Sequence, residues 1–413
     1  MADCIRGKRK ETGVLVTPVL FFASFSNNPP PPTHKSMACT VTTQIHNIGN
    51  FTFDNGMEIP DVQLAYETYG TLNAEKSNAI LLFHALTGSH HAHGYNDTLP
   101  EAGNFWQPEY FEGWWDKMIG PGKPLDTERY FIICVNFVGS CYGSTGPASL
   151  APDGEPWGSR FPMVNANDQA RAQIKLMDHF GIDRFALVGP SIGGMLSLAF
   201  TNLYPQRVRT VIIIGADYKP AIEHKLSGFE QFCAIEMDEK YREGSYPLCD
   251  PPLRGVALAR IICHKHFIYQ EGLAKRARKD CNPDRKGLLT WFTPQESIQS
   301  YMLHQGTKFA KRFDANAYIR IINMWTAFDL ESVTGRSTDA CFRRFAEYGI
   351  PFMLFSISTD CCFSPQAISA FHRRLVENGV QAEYKCIESE KGHDSFLLEP
   401  ELYEKELTAY LNR

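Results

Sequence analysis

The sequence predicts an α/β fold in which a mostly parallel central sheet carries an inserted helical cap. Continuous apolar runs recur along the 413-residue chain and alternate with helix-like stretches. Such runs are typical of strands that are buried on both faces of a parallel sheet. The gap between the runs that end at residue 214 and begin at residue 352 is rich in helix formers and aromatic residues. Because that gap is too long for one crossover connection, it favours an inserted cap.

The individual elements follow from these patterns. Alternating apolar residues between Phe51 and Gly70 predict two edge strands. Six apolar runs predict buried strands at Ala79–Phe83, Tyr130–Val135, Phe185–Val188, Val208–Ile214, Phe352–Ile357 and Tyr384–Ile387. Core helices are predicted at Asp168–Phe180, Ile192–Tyr204, Pro365–Asn378 and Glu399–Leu411, and cap helices at Pro252–Tyr269, Pro294–His304 and Ala315–Thr326.

These elements divide the chain into three parts. We expect residues 46–216 and 345–413 to form the α/β core, residues 217–344 to form the cap, and residues 1–45 to be disordered and to lie outside the fold. The N-terminal segment has basic residues followed by a short apolar stretch, Val14 to Phe25. A signal peptide, a transit peptide and an extension upstream of a start at Met37 all fit this pattern.

Composition argues against several classes of function. The net charge of −5 and the pI near 6.2 give no reason to expect nucleic-acid binding. No run of 18 apolar residues occurs, so no membrane span is predicted. The twelve cysteines show no paired spacing, which favours reduced thiols in a cytoplasmic compartment over a disulfide framework.

A serine stands at the turn between a predicted strand and a predicted helix. Ser191 lies in Gly189-Pro190-Ser191-Ile192-Gly193, directly after the run 185–188 and before the small, apolar stretch 194–200. Strand, G-x-S-x-G turn and helix in this order are typical of the nucleophile elbow of α/β hydrolases, where the glycines permit a very tight turn. The sequence therefore predicts Ser191 as the nucleophile of an acyl-transfer reaction.

Serine needs a base and an orienting acid, which follow it in chain order in this arrangement. Asp360 lies just past the predicted strand 352–357, and His393 lies past the last predicted strand. We therefore expect Asp360 to be the acid and His393 the base. The loop after strand 79–83 supplies a second oxyanion donor in such folds, so the backbone N–H groups of Leu86 and Ile192 are the predicted oxyanion hole.

Longer motifs identify a family. They are His84-Ala85-Leu86-Thr87-Gly88, Gly113-Trp114-Trp115-Asp116, Gly120-Pro121-Gly122-Lys123-Pro124-Leu125-Asp126-Thr127, Cys141-Tyr142-Gly143-Ser144-Thr145-Gly146-Pro147, Lys311-Arg312-Phe313-Asp314-Ala315-Asn316 and Gly392-His393-Asp394. Together they resemble homoserine O-acetyltransferases from about residue 51 to the C-terminus. The elbow departs from the family's usual Gly-Gly-Ser-Met-Gly-Gly at Pro190 and Ile192, and Phe267 replaces a tyrosine that is often found there.

The resemblance implies a ping-pong reaction of methionine biosynthesis. Ser191 would take the acetyl group of acetyl-CoA, and the hydroxyl of L-homoserine would then accept it. Asp394 would bind the substrate ammonium and Arg260, in the cap, the substrate carboxylate. Family members are commonly homodimers formed through the cap, and they use no cofactor besides the co-substrate acetyl-CoA.

Alternatives remain at this stage. A serine esterase or thioesterase of the same fold would use the same three residues, with water as the acceptor. L-Serine could replace homoserine, or succinyl-CoA could replace acetyl-CoA, because small differences in size change binding only modestly. His90, His91 and His93 cluster after the predicted oxyanion loop, but we expect no metal, since this chemistry needs none.

Overall fold

The computed structural model describes residues 39–276 and 288–412, and an eight-stranded sheet forms its centre. In chain order the strands are β1 (Gln44–Asn47), β2 (Gln63–Tyr69), β3 (Ala79–Leu82), β4 (Phe131–Val135), β5 (Phe185–Pro190), β6 (Val208–Ile214), β7 (Phe352–Ile357) and β8 (Ala382–Ile387). Their spatial order is β1-β2-β4-β3-β5-β6-β7-β8. Within this sheet, β2 runs antiparallel to both neighbours, and the other pairs are parallel. The predicted mostly parallel sheet is confirmed.

Helices cover the sheet and build the insertion. After β4 and β5 come α1 (Ala166–His179) and α2 (Ile192–Leu203). Between β6 and β7 lie α3 (Ile222–Glu236), α4 (Leu253–His264), α5 (Gln270–Arg276), α6 (Ser297–Ala310), α7 (Ala315–Thr326), α8 (Leu330–Thr334) and α9 (Thr338–Glu347). The chain ends with α10 (Pro365–Glu377), α11 (Ser395–Leu398) and α12 (Glu404–Leu411). In the described part of the chain, every helix is too short or too polar to cross a bilayer.

The central strands are apolar throughout because both of their faces are buried. Leu81, Ile133 and Leu187 point into a core shared with α1, α2, α10 and the cap helices. Their neighbours in sequence point to the opposite face, where Trp115, α11 and α12 cover them. Since side chains alternate along a strand, continuous apolar runs supply both cores at once.

The cap differs from the sequence expectation at its C-terminal boundary. Residue 344 lies inside α9, and the apolar face of that helix packs on the α/β core. Phe342 stacks on Phe371 of α10 with ring centroids 5.6 Å apart, and Phe345 lies 5.7 Å from Phe352 of β7. The boundary at 344 is therefore too late, because the amphipathic pattern of α9 does not reveal which partner covers it.

The N-terminal boundary is also corrected. Gln44 and Ile45 pair with Tyr66 and Ala65 in the sheet, so the folded part begins before residue 46. Residues 1–38 of the predicted extension lie outside the described residues. The strand β1 was missed because its four residues are largely solvent-exposed and form no apolar run. As a result, β2 is an interior strand rather than the predicted edge strand.

Most other elements agree with prediction within a few residues. The bounds of β6, β7 and α7 are those expected from the sequence. The last helix begins at Glu404 instead of residue 399, because Pro400 starts a separate 3₁₀ turn, Pro400–Leu402. The second predicted edge strand is only a two-residue ladder between Phe51–Thr52 and Glu58–Ile59.

Candidate active site

Ser191 occupies a strained turn between β5 and α2. Its φ and ψ angles are 55° and −130°, a conformation that residues other than glycine rarely adopt. Its backbone N–H donates to the carbonyl of Ile214 at the end of β6 over 2.8 Å. A Cβ on Gly189 would lie 2.2 Å from the carbonyl carbon of Gly193. Only glycine therefore fits at position 189 of this turn, as the sequence motif predicts.

The three residues predicted for nucleophile, base and acid form a continuous chain of hydrogen bonds. The distance from Ser191 Oγ to His393 Nε2 is 2.8 Å, and that from His393 Nδ1 to Asp360 Oδ2 is 2.7 Å. The side chains belong to residues that are only 6%, 2% and 3% exposed, respectively. Asp360 follows β7 and His393 follows β8, so the carboxyl ends of adjacent parallel strands bring them together.

Asp360 is held in place by the backbone of its own loop. Its Oδ1 atom accepts the N–H groups of Cys362 and Phe363 at 2.7 and 2.9 Å. Its Oδ2 atom therefore remains directed at His393. A buried carboxylate in this position fixes the Nδ1–H tautomer of the imidazole and leaves Nε2 free to accept the serine proton.

Burial lowers the pKa of His393, but neighbouring carboxylates outweigh this effect. The charge of Asp360, its hydrogen bond, and the charge of Asp394 together raise the pKa of His393 above its usual value. A raised pKa means that the site stabilises the imidazolium form. That form is the one produced when the imidazole takes a proton from a serine.

The oxyanion loop, residues 84–88, follows β3 and is shaped by His84. His84 Nδ1 lies 2.8 Å from the carbonyl of Ala85, and His84 Nε2 accepts the N–H of Phe137 at 3.4 Å. The imidazole also stacks on Phe137 with ring centroids 3.6 Å apart. Burial lowers the pKa of His84 to about 3, so the ring is neutral with its proton on Nδ1. This single tautomer fixes the start of the loop.

The two predicted oxyanion donors are placed differently. Ile192 is the first residue of α2, and N–H groups in the first turn of a helix have no partner within that helix. Leu86 is buried in the oxyanion loop. Ile192 belongs to the elbow itself, and the chain that leads into the oxyanion loop packs against the elbow, since a Cβ on Gly193 would lie 2.8 Å from Phe83, directly after β3.

The predicted substrate-binding residues lie on either side of Phe267. The Arg260 guanidinium of α4 stands 5.4 Å from the Phe267 ring, and the Asp394 N–H donates to the Phe267 carbonyl at 3.1 Å. The Phe267 ring is in turn 5.7 Å from the His393 ring. Burial raises the pKa of Asp394 to about 6, although His393 and Arg260 oppose this shift. The structure thus brings Arg260 and Asp394 to the same corner of the site.

Sequence reasoning missed Arg312, which connects the cap to the oxyanion loop. Its Nη1 atom donates to the carbonyl of Thr87 at 3.3 Å and to the hydroxyl of Tyr142 at 3.1 Å. The guanidinium lies between the rings of Tyr110 and Phe309, at 4.5 and 4.7 Å. No carboxylate of the described residues forms an ion pair with it, and burial lowers its pKa to about 9. Its place in the motif 311–316 was the available signal, but that motif does not separate Arg312 from exposed neighbours.

The cap also contacts the loop of the predicted acid. His224 of α3 accepts the N–H of Ala221 on Nδ1 at 3.2 Å, so its proton is on Nε2. That atom lies 3.6 Å from the sulfur of Cys362. Since Cys362 donates its N–H to Asp360, a cap helix supports the position of the acid indirectly.

His91 and His93, after the oxyanion loop, contact different carboxylates. His91 Nδ1 contacts Glu67 at 2.8 Å, whereas His93 Nδ1 contacts Asp116 at 2.7 Å. Among residues 39–276 and 288–412, no group of three or more His, Cys, Asp or Glu side chains is arranged to hold a metal ion.

Known proteins are similar to this chain in sequence and in fold. Residues 78–232 match the family described as alpha/beta hydrolase fold. Homoserine O-succinyltransferase of Acidithiobacillus ferrooxidans is 39% identical over 363 residues, which cover 87% of this chain and 91% of that protein. The crystal structure of homoserine O-acetyltransferase from Bacillus anthracis superposes with a TM-score of 0.78 at 27% identity, covering 91% and 98% of the two chains. Esterase E22 superposes with a TM-score of 0.77 at 24% identity, covering 90% and 100%, which shows the common fold alone.

Proposed function

The chain belongs to the homoserine O-acyltransferase family of the α/β-hydrolase superfamily, and we propose that it transfers an acyl group from an acyl-CoA to the hydroxyl of L-homoserine through an acyl-serine. The observation that carries this proposal is the hydrogen-bonded chain Ser191–His393–Asp360 beside Arg260 and Asp394. In this proposal the former three residues perform the acyl transfer and the latter two bind the amino acid.

The first half-reaction acylates the serine. His393 Nε2 takes the proton of Ser191 as Oγ forms a bond to the thioester carbonyl carbon. The resulting oxyanion accepts hydrogen bonds from the N–H groups of Leu86 and Ile192. The carbon–sulfur bond then breaks, and the coenzyme A thiolate leaves with the proton from His393. Asp360 stabilises the transient imidazolium but keeps its own charge.

The second half-reaction moves the acyl group to the amino acid. His393 takes the proton of the homoserine hydroxyl, whose oxygen attacks the acyl-serine carbonyl, and Ser191 regains a proton when its ester bond breaks. Asp394 is mostly ionised at neutral pH, because its pKa is about 6, and it would attract the substrate ammonium. Arg260 would hold the carboxylate, since a guanidinium binds a carboxylate with two hydrogen bonds.

The similar proteins differ in the acyl donor that their names imply. The motifs resemble acetyltransferases, and the solved acetyltransferase from Bacillus anthracis is 27% identical. The curated relatives at 36–39% identity are named homoserine O-succinyltransferases. We therefore propose succinyl-CoA as the first candidate donor and acetyl-CoA as the second.

A hydrolase is the second candidate function, because several structural neighbours with the same fold are esterases. Such an enzyme would use water in place of homoserine in the second half-reaction. The presence of Arg260 and Asp394 beside His393 favours an amino-acid acceptor, since an ester hydrolase requires neither an ammonium site nor a carboxylate site.

Release of free thiol from acyl-CoA distinguishes these functions. Succinyl-CoA and acetyl-CoA are each assayed with L-homoserine, with L-serine and without an acceptor, for the intact enzyme and for Ser191→Ala. Homoserine-dependent release that is lost in Ser191→Ala supports the proposal, and the faster donor identifies the acyl group. Serine-dependent release would change the acceptor, and equal release without an amino acid would show a thioesterase.

We further propose a homodimer formed through the cap, in a cytoplasmic enzyme of methionine biosynthesis. Three large apolar side chains of α3 are solvent-exposed along one face of the helix, Ile222, Leu226 and Phe229, and Met237 directly after the helix is exposed as well. An exposed apolar stripe of this size is typical of an interaction surface. Sedimentation of the wild type and of Leu226→Glu tests the proposal; a wild-type monomer would contradict it.

A further inference from the structure

A buried polar cluster lies behind the oxyanion loop and has no part in the proposed reaction. At its centre is Glu67 of β2, which has no solvent exposure. Its carboxylate accepts hydrogen bonds from the hydroxyls of Tyr69 and Thr43 at 2.7 and 3.2 Å and from Asn96 Nδ2 at 3.0 Å. The Nδ1 atom of His91 is 2.8 Å from the same carboxylate. So many donors around one carboxyl group favour its ionised form.

His91 faces an acceptor with each of its ring nitrogens. Nδ1 faces Glu67, and Nε2 lies 3.1 Å from the carbonyl oxygen of Phe111. A carbonyl oxygen only accepts hydrogen bonds, and so does an ionised carboxylate. A neutral imidazole has one nitrogen without a proton, and that nitrogen would face an oxygen lone pair. The geometry is satisfied when both nitrogens carry protons, which makes the ring an imidazolium.

The groups that contact Glu67 and His91 add no further charge to the cluster. Burial raises the pKa of Glu67, but the hydrogen bonds from His91 and Asn96 help to bring it below its usual value. Burial lowers the pKa of His90 to about 4, so His90 is neutral at pH 7. Its Nε2 atom contacts the Thr43 hydroxyl at 2.8 Å. The hydrogen-bond geometry of the cluster is therefore met by one negative charge on Glu67 and one positive charge on His91.

The cluster fixes the chain that leaves the oxyanion loop. His91 follows Leu86 by five residues. The intervening Ser89 accepts the indole N–H of Trp114 on its carbonyl at 2.9 Å, and Ala92 donates its N–H to Tyr69 at 2.7 Å. The segment is thus attached to β2 at one end and continues from β3 at the other. Loss of either charge would leave its partner buried and unpaired, which strongly disfavours the present geometry.

We infer that Glu67 and His91 form a buried carboxylate–imidazolium pair that positions the oxyanion loop for acyl transfer. Neither residue touches the reacting atoms, so both are positioning residues. The role in acyl transfer rests on the proposed function, whereas the charged state of the pair does not.

Nitrogen-15 NMR of the histidine side chains tests the charge state without reference to activity. The His91 signals are assigned by their loss in His91→Asn. We expect both ring nitrogens of His91 to be protonated at pH 7 in the wild type, and one of them to lose its proton in Glu67→Gln, because an amide can donate to the imidazole. A neutral His91 in the wild type would overturn the inference.

Acylation kinetics test the positioning role. We expect Glu67→Ala to slow the release of coenzyme A from acyl-CoA by roughly 10- to 100-fold, because small displacements of catalytic donors have effects of this size. The KM for homoserine should stay unchanged, and Glu67→Gln, which keeps the size of the side chain but removes its charge and part of its hydrogen-bond acceptors, should slow acylation as well. A purely structural role would lower the melting temperature without this selective loss.

The matched control is His93→Asn, which removes a more exposed contact to Asp116 in the same segment and should leave the acylation rate unchanged. Should Glu67→Ala fail to fold, His91→Asn carries the same kinetic test. Wild-type acylation rates in a folded Glu67 or His91 variant would contradict the positioning role. Absence of acyl transfer in the wild type would instead contradict the proposed function and leave the NMR result valid.

Discussion

The α/β core and the cap both contribute side chains to the site, but the hydrogen bonds of these side chains are satisfied to different degrees. In the core, Ser191, His393 and Asp360 are joined to one another and to the backbone by hydrogen bonds. In the cap, Nη1 of Arg260 beside the site is buried and has no hydrogen-bond partner among the described residues, as is also true of several buried polar atoms farther from the site in both regions. Buried donors are rarely left without partners. At the site, the three core residues are therefore preorganised, whereas Arg260 of the cap has a donor left over, which we expect a substrate carboxylate to occupy.

The largest effect is expected in the core. Ser191→Ala removes the nucleophile, and we expect kcat to fall by roughly 10⁶-fold, as in other enzymes with this arrangement. Steady-state transfer and the initial release of coenzyme A measure the loss together. The matched control is Ser197→Ala on α2, a buried serine that bonds only to the helix backbone in the structure. Equal rates for Ser191→Ala and wild type would place the nucleophile elsewhere.

A substitution at Arg260 tests the role of the cap separately from that of the core. Because its guanidinium would bind only the amino acid, Arg260→Gln should raise the KM for homoserine by roughly 100-fold, the cost of losing one charged partner of a carboxylate. The rate of acylation without acceptor should not change. The exposed Arg254 of the same helix, changed to glutamine, is the control. Equal losses in both half-reactions would show that Arg260 acts through the fold.

The pH dependence should also differ between the two half-reactions. His393 must be neutral to act as a base, and its pKa is raised, so acylation should decline on the acid side beginning above the usual histidine value. Asp394 must be ionised, and its pKa is about 6. Binding of homoserine should therefore weaken by about tenfold per pH unit below 6, since protonation removes the charge. The ratio of the two profiles isolates this additional dependence.

Asp394→Asn provides the control for the pH experiment. This variant should bind homoserine weakly at all pH values, and the ratio of its two profiles should be flat. If the ratio still decreases as the pH drops below 6, another titrating group controls the binding of homoserine.

The smallest effect is expected at Phe267, where core and cap meet. Phe267→Tyr adds a hydroxyl to a ring that lies 5.4 Å from the Arg260 guanidinium and 5.7 Å from the His393 ring. We expect the KM for homoserine to change by less than about tenfold, which is the usual range for one small group in a binding pocket. Acylation should be unaffected. A loss of acylation would place the Phe267 ring closer to the reacting atoms than proposed.

The two regions were also unequally predictable. Ser191 and Asp360 could be found because each follows a strongly apolar strand, and His393 because it follows the last predicted strand; parallel strands align their carboxyl ends. Glu67 and Arg312 could not, because their importance lies in burial and in partners that are distant in sequence. The strand β1 was missed for the opposite reason, since its short and exposed sequence gives no periodic signal. Local patterns thus reveal the frame of the site, but its electrostatic support requires the structure.

The backbone of Ser191 has a consequence for heat resistance and evolution. At φ 55° and ψ −130°, a residue with a side chain is strained by roughly 1–3 kcal/mol, whereas glycine adopts this conformation freely. Ser191→Gly should therefore unfold at a higher temperature than the active enzyme while it loses its chemistry. Selection for stability alone would remove this serine, so its presence implies continued selection for turnover.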